Sequence, residues 1–166
     1  MSLQWYEGSR PIDLSQEHKL QIINLFQEQT GEKYTIHSLN CLQIPSWEGN
    51  LILQNEQSNS IEGVFWSHPI GTNTVRVAAF VLSKEVQSQG IGTRIWEYCS
   101  KLFSQKGFSK IVLEVRGDNQ RAISFYQRKG LKINETLLGY YSSGPGYSME
   151  GLLSNVQADS KIQSKL

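Results

Sequence analysis

At residues 87–93 the chain reads Gln-Ser-Gln-Gly-Ile-Gly-Thr, at the junction of two segments with opposite chemistry. Upstream, Thr74 to Leu82 is rich in β-branched and apolar residues, the composition of a strand. Downstream, from Gly90 to Lys106, apolar residues fall at Ile91, Ile95, Tyr98, Cys99, Leu102 and Phe103. Spacings of three and four mark an amphipathic helix. A strand that turns through glycines into a helix exposes unpaired backbone N–H groups at the positive end of the helix dipole. Such a turn is a ready seat for a phosphate or pyrophosphate, and Gly90 and Gly92 let the backbone approach an anion closely. A dinucleotide fingerprint would need a third glycine where Ile95 stands, and a P-loop would need Gly-Lys-Ser/Thr. A plain glycine-rich turn is the remaining alternative.

The flanking elements set the fold class. Asp13 and Ser15 are N-cap candidates for a first helix with Leu20, Ile22, Ile23 and Phe26 on its apolar stripe, closed by Gly31 after Thr30. Residues 32–49 suggest a short helix and a loop. Asn50 to Asn55 and Ile61 to Ser67 read as strands joined by the polar turn 57–60, and Pro69 to Asn73 is the turn into Thr74 to Leu82. After the central helix, which Gly107 ends, Ser109 to Arg116 is a strand, Asn119 to Lys129 a helix stopped by Gly130, and Leu131 to Tyr141 and Tyr147 to Leu153 two last strands. The turn between those two holds Ser142, Ser143, Gly144, Pro145 and Gly146. Strand–helix–strand crossovers are parallel, whereas the front meander and the last hairpin are antiparallel. The expectation is an α+β three-layer domain over residues 1–153, with a mixed central sheet of six to seven strands and helices on both faces. Residues 154–166 are expected to be a polar tail.

Composition excludes several classes. Lys plus Arg is 16 and Asp plus Glu is 15, a net charge of +1, so bulk charge does not point to nucleic acid. No apolar run approaches the roughly 20 residues of a membrane span, and Met1 to Arg10 lacks the apolar stretch of a secretory signal. Cys41 and Cys99 have no C-x-x-C spacing, and His18, His37 and His68 stand alone, so no metal is expected. Two reduced thiols suit a cytoplasmic protein. In the strand 109–116, Ile111, Leu113 and Val115 face one way, and Val112, Glu114 and Arg116 the other. A carboxylate in a central strand is costly unless it has a task or a partner. A Glu114–Arg116 surface pair is the simple alternative.

Gln87-x-x-Gly90-x-Gly92 resembles the Q/R-x-x-G-x-G/A motif of the GNAT N-acetyltransferase superfamily. Asn119-x-x-Ala122-x-x-x-Tyr126-x-x-x-Gly130-Leu131 resembles a second block of that family, with Leu131 where Phe is usual. The two blocks lie in family order and spacing between Phe80 and Leu131. The resemblance implies acetyl-CoA as donor and a primary amine as acceptor. It implies that backbone groups of Gln87, Ser88, Gln89, Gly90, Ile91, Gly92 and Thr93 hold the pyrophosphate. It further implies that Phe80, Val81 and Leu82 offer backbone to the pantetheine, that Asn119 bonds near the pantetheine end, and that Tyr126 lies by the thioester sulfur.

A tyrosine, with an ordinary pKa near 10, suits the acid for a departing thiolate, the alternative being an ordinary half-buried aromatic. Leu113-Glu114-Val115-Arg116 is similar to the L-E-V-R of the branch that acetylates protein N-termini, where the glutamate is read as a base acting through water. Tyr140-Tyr141 resembles that branch's acceptor-lining pair, with simple strand packing as the alternative. Ser142 to Tyr147, with Gly-Pro-Gly-Tyr, departs from its acidic stretch. The expected protein is an enzyme working as monomer or homodimer, on a small amine or a peptide, without nucleic acid or membrane partners. A non-catalytic acyl-CoA-binding regulatory module is the rival.

Overall fold

The computed structural model describes residues 1–153. The expected tail, 154–166, lies outside the described residues. The elements are β1 (Leu3–Glu7), α1 (Gln16–Thr30), α2 (Ile36–Asn40), β2 (Leu51–Asn55), β3 (Ser60–Ile70), β4 (Thr74–Leu82), α3 (Ile91–Gln105), β5 (Lys110–Arg116), α4 (Gln120–Arg128), β6 (Lys132–Tyr141) and β7 (Gly144–Leu152), with single 3-10 turns at Pro11–Asp13 and Lys84–Val86. The seven strands form one mixed sheet in the order β1-β2-β3-β4-β5-β7-β6. β1 pairs antiparallel with β2, and β2 with β3. β4 runs parallel to β5, with Arg76 opposite Val112. β7 enters between β5 and β6 and is antiparallel to both. By internal contacts the chain divides into two compact units, Met1–His68 with Ala78–Thr93, and Pro69–Val77 with the described residues from Arg94 to Leu153.

In the first unit, α1 begins where expected. Ser15 caps it by accepting from the His18 N–H at 3.1 Å, and Gly31 closes it at φ 75° with its N–H on the Gln27 carbonyl. Its buried stripe is Ile22, Leu25 and Phe26, whereas Leu20 is exposed, contrary to the expected stripe. The true stripe follows the wider helical face, on which even Lys19 lays down its aliphatic stem. These side chains join Leu39, Ile44, Ile52, Ile61, Val64, Trp66 and Val81 in one apolar cluster. The short helix expected within 32–49 is α2, opened by a capping box between Thr35 and Ser38. β1 has no counterpart in the sequence reading. Its alternation is only Leu3 and Trp5, too short to stand out, and both side chains pack against Leu53, Val86 and Ile91.

In the second unit, β5 alternates as expected, with Ile111, Leu113 and Val115 buried. α3 buries Ile95, Trp96, Cys99 and Phe103, whereas Tyr98 is exposed. Trp96 takes the place assigned to Tyr98, because at 3.6 residues per turn residues 95, 96, 99 and 103 fall on the same side and residue 98 does not. Burial pushes the Cys99 thiol well above the usual thiol range. Most boundaries fall within a residue of expectation, and two differ by three. β3 continues through Pro69 to Ile70, so the turn shrinks to the residues around Gly71, which sits at φ 64°. β7 starts at Gly144 rather than Tyr147, leaving Ser142 and Ser143 as the turn, with Tyr141 paired to Gly144.

Candidate active site

The glycine loop belongs to the first unit. The chain leaves β4 at Leu82, makes the 3-10 turn Lys84–Val86, and reaches Gln87. Ser88 and Gly90 both take left-handed backbone, at φ 64° and 77°, and Ser88, Gln89 and Gly90 are exposed just ahead of α3. Gly90 thus meets the conformational need for which glycine suits such a turn. The side chains around this backbone are committed elsewhere. Gln87 Nε2 donates to the Leu82 carbonyl and to Gln29 Oε1, both at 2.8 Å, and Gln89 Nε2 donates to the Glu85 carbonyl at 2.8 Å. Ile91 is buried with Leu53 and Val86, and Gly92 and Thr93 are half-buried in the first turn of α3. At the end of β4, Val81 lies in the core, Leu82 packs on the Leu53–Val86–Ile91 cluster, and Phe80 meets Phe65 edge to face at 5.1 Å. With these side chains so used, the loop has chiefly backbone to offer an anion.

The second unit carries the acid–base candidates. Glu114 lies on the half-buried face of β5. Its partner is Arg76 of the neighbouring strand, whose Nε donates to Oε2 at 2.9 Å and Oε1 at 3.2 Å. Arg116 instead pairs with Asp118 at 2.9 Å, so the simple Glu114–Arg116 pair is not what forms. The parallel register sets Arg76 opposite Val112, so Glu114 is its diagonal neighbour across the strands, within reach of a long side chain. Sequence reasoning missed Arg76, although Val75-Arg76-Val77 shows the same buried–polar–buried signal as Leu113-Glu114-Val115.

Tyr126 is buried in α4, its ring 5.5 Å from Trp96 and 5.6 Å from Phe125. Burial pushes its phenol above the ordinary tyrosine range. The second sequence block has a direct structural meaning. Asn119 is the N-cap of α4, its Oδ1 accepting from the Ala122 N–H at 3.2 Å. At the other end Gly130, at φ 92°, donates to the Gln127 carbonyl, and Leu131 donates to the Tyr126 carbonyl. This pair of bonds is the Schellman closure, with Leu131 and Tyr126 both buried at the positions that accompany it.

Tyr140 and Tyr141 sit at the end of β6, rings 4.8 Å apart. Neighbours on a regular strand would point to opposite faces. Here the register to β7 shifts between Leu137 and Tyr141, around Gly139 at φ 74°. Tyr140 is 53% exposed, and a Cβ at Gly146 would collide with the Tyr141 ring and lie 2.8 Å from the Val115 carbonyl oxygen. The Gly-Pro-Gly-Tyr departure thus makes room for that ring. No group of three or more metal-ligating side chains occurs among the described residues, and none of the described helices is long and apolar enough to cross a membrane.

The family model described as the acetyltransferase (GNAT) family matches residues 19–131, and the chain belongs to that family. It is 25% identical over 136 residues to N-alpha-acetyltransferase 30 of Schizosaccharomyces pombe, covering 80% of this chain and 90% of that protein. The fold is similar to Ard1 from Thermoplasma volcanium (TM-score 0.76, 23% identity, 92% of this chain and 98% of that one). It also resembles Arabidopsis thaliana Naa50, solved with a bisubstrate analogue (TM-score 0.67, 16% identity, 90% and 98% covered).

Proposed function

We propose that this acetyltransferase moves the acetyl group of acetyl-CoA directly to a primary amine, and that the amine is the N-terminus of a protein. The family match carries the reading, because residues 19–131 take in the glycine loop, Glu114, Asn119 and Tyr126. The N-alpha-acetyltransferase relative, matched over most of both chains, supports the acceptor class.

The glycine loop holds the pyrophosphate by the N–H groups of residues 88–93, the Gln87 N–H being turned to the Lys84 carbonyl, with the start of α3 adding its dipole. Backbone of Phe80, Val81 and Leu82 and the amide of Asn119 bind the pantetheine. The acceptor arrives as an ammonium and must lose a proton before its nitrogen can attack the thioester carbonyl. Glu114 takes that proton through a water, its carboxylate oriented by Arg76. The carbon–nitrogen bond forms, the carbon–sulfur bond breaks and Tyr126 gives its phenolic proton to the leaving thiolate, while the second proton shed by the nitrogen as it becomes an amide passes through water to restore the phenol. Tyr140 and Tyr141 flank the acceptor chain. The enzyme works in the cytoplasm, as monomer or homodimer, without a metal.

The test is release of thiol from acetyl-CoA across a panel of short peptides, lysine-like amines and small amines, with the acetylated product identified by mass. Activity confined to peptides with a free α-amine is the expected outcome, and a preference for small amines overturns the acceptor class. For Glu114, Glu114→Gln should lower kcat/KM by roughly 10²-fold near neutral pH. Raising the pH should restore part of the loss, because an α-amine with a pKa near 7.7–8.0 then arrives already deprotonated. An unaltered pH–rate profile would remove Glu114 as the base.

A further inference from the structure

We infer that Gln29 of α1 and Glu62 of β3 are positioning residues that hold the glycine loop in its anion-binding shape before any ligand arrives. The inference rests on the reading of residues 88–93 as the pyrophosphate seat. A loop with left-handed backbone at both Ser88 and Gly90 does not keep that shape by itself, since the non-glycine Ser88 is strained there. Its support comes from elements far away in sequence.

At the loop's entry, the Ser83 N–H donates to the Glu62 carbonyl at 2.8 Å, and Ser83 Oγ donates to Glu62 Oε2. The other carboxylate oxygen of Glu62 accepts from Ser60 Oγ at 2.8 Å, which fixes the side chain in turn. In the middle, Val86 is fully buried against Leu53 and Ile91. At the exit, Gln87 Nε2 reaches the Leu82 carbonyl and Gln29 Oε1. An amide nitrogen has two hydrogens, so this motif residue is spent on holding the loop rather than on a ligand. The stretch Ser83 to Gln87 is thereby pinned at both ends and at its centre, and residues 88–90 are left presented.

Releasing a clamp lowers the fraction of molecules whose loop is competent to bind, and apparent affinity falls by that fraction. The chemical step, once CoA is bound, is untouched. Gln29→Met keeps the length of the side chain and loses the acceptor, while Gln29→Glu keeps an acceptor oxygen. Glu62→Ala removes the other clamp, and Gly90→Val serves as the control that obstructs the loop itself.

CoA affinity by calorimetry, steady-state kinetics and amide hydrogen exchange are measured on the full chain. Gln29→Met and Glu62→Ala should each raise the CoA dissociation constant and the acetyl-CoA KM by about fivefold, as loss of a part-buried hydrogen bond does, with kcat unchanged. Exchange should quicken at residues 84–90 and not along α1, and Gln29→Glu should bind CoA as the native chain does. If Gly90→Val weakens CoA while folded Gln29→Met and Glu62→Ala bind it normally, the clamps are overturned and the loop reading stands. If Gly90→Val binds CoA normally, the loop reading fails and the clamps fall with it.

Discussion

Tyr126 illustrates how one side chain serves packing and chemistry together. Its carbonyl closes α4 by accepting from Leu131, its ring lies against Trp96, and its phenol is buried. Tyr126→Phe keeps the first two and removes the hydroxyl. If the phenol is the acid, kcat should fall roughly 10- to 1000-fold with CoA affinity unchanged, and an unaltered kcat would make the tyrosine structural. The same burial makes a pH prediction independent of activity. The phenol's pKa is raised in the folded chain above its unfolded value near 10. Its contribution is therefore fully present below pH 10 and lost as pH rises toward the folded value, because the unfolded chain releases the proton first. Part of the fall in melting temperature above pH 10 should be missing in Tyr126→Phe.

At the scale of elements, the second sequence block is first of all a helix with both ends closed. Asn119 caps its start, and Gly130 and Leu131 close its end. A motif that reads as catalytic is thus half explained by backbone accounting, and the two roles of Asn119 can be separated. Asn119→Ala should cost about 1 kcal/mol of stability through the lost cap, whereas Asn119→Ser, itself a good cap, should cost little. Thermal unfolding reads that difference. If Asn119 also bonds the pantetheine, Asn119→Ser should still weaken CoA binding severalfold, and equal affinity would leave Asn119 with the cap alone.

For the molecule as a whole, ligand binding and stability are linked. A ligand that binds only the folded chain stabilises it by about 2.7 kcal/mol at a hundredfold excess over its dissociation constant. Acetyl-CoA should therefore raise the melting temperature of the native chain by several degrees, a shift that grows with the logarithm of its concentration. Gly90→Val should remain folded and lose most of that shift. A full shift in Gly90→Val would mean that the donor binds elsewhere.

The sequence by itself determined what depends on neighbours along the chain. Ser15 and Gly31 bounded α1, the alternation of Ile111, Leu113 and Val115 set the faces of β5, and the strand–glycine–helix junction at 82–93 stood out from its residues alone. These are local preferences of capping, period and φ, and they do not wait for tertiary packing. What only the tertiary structure decided involves partners distant in sequence. Arg76 rather than Arg116 holds Glu114, because a parallel register sets which side chains adjoin across strands. Trp96 rather than Tyr98 faces inward, β1 exists because β2 gives it a ladder, and Gln87 turns to Gln29 across 58 residues of chain. Hydrogen-bond partners across strands and between elements are chosen by the packed fold, since a short segment carries no record of what will lie beside it.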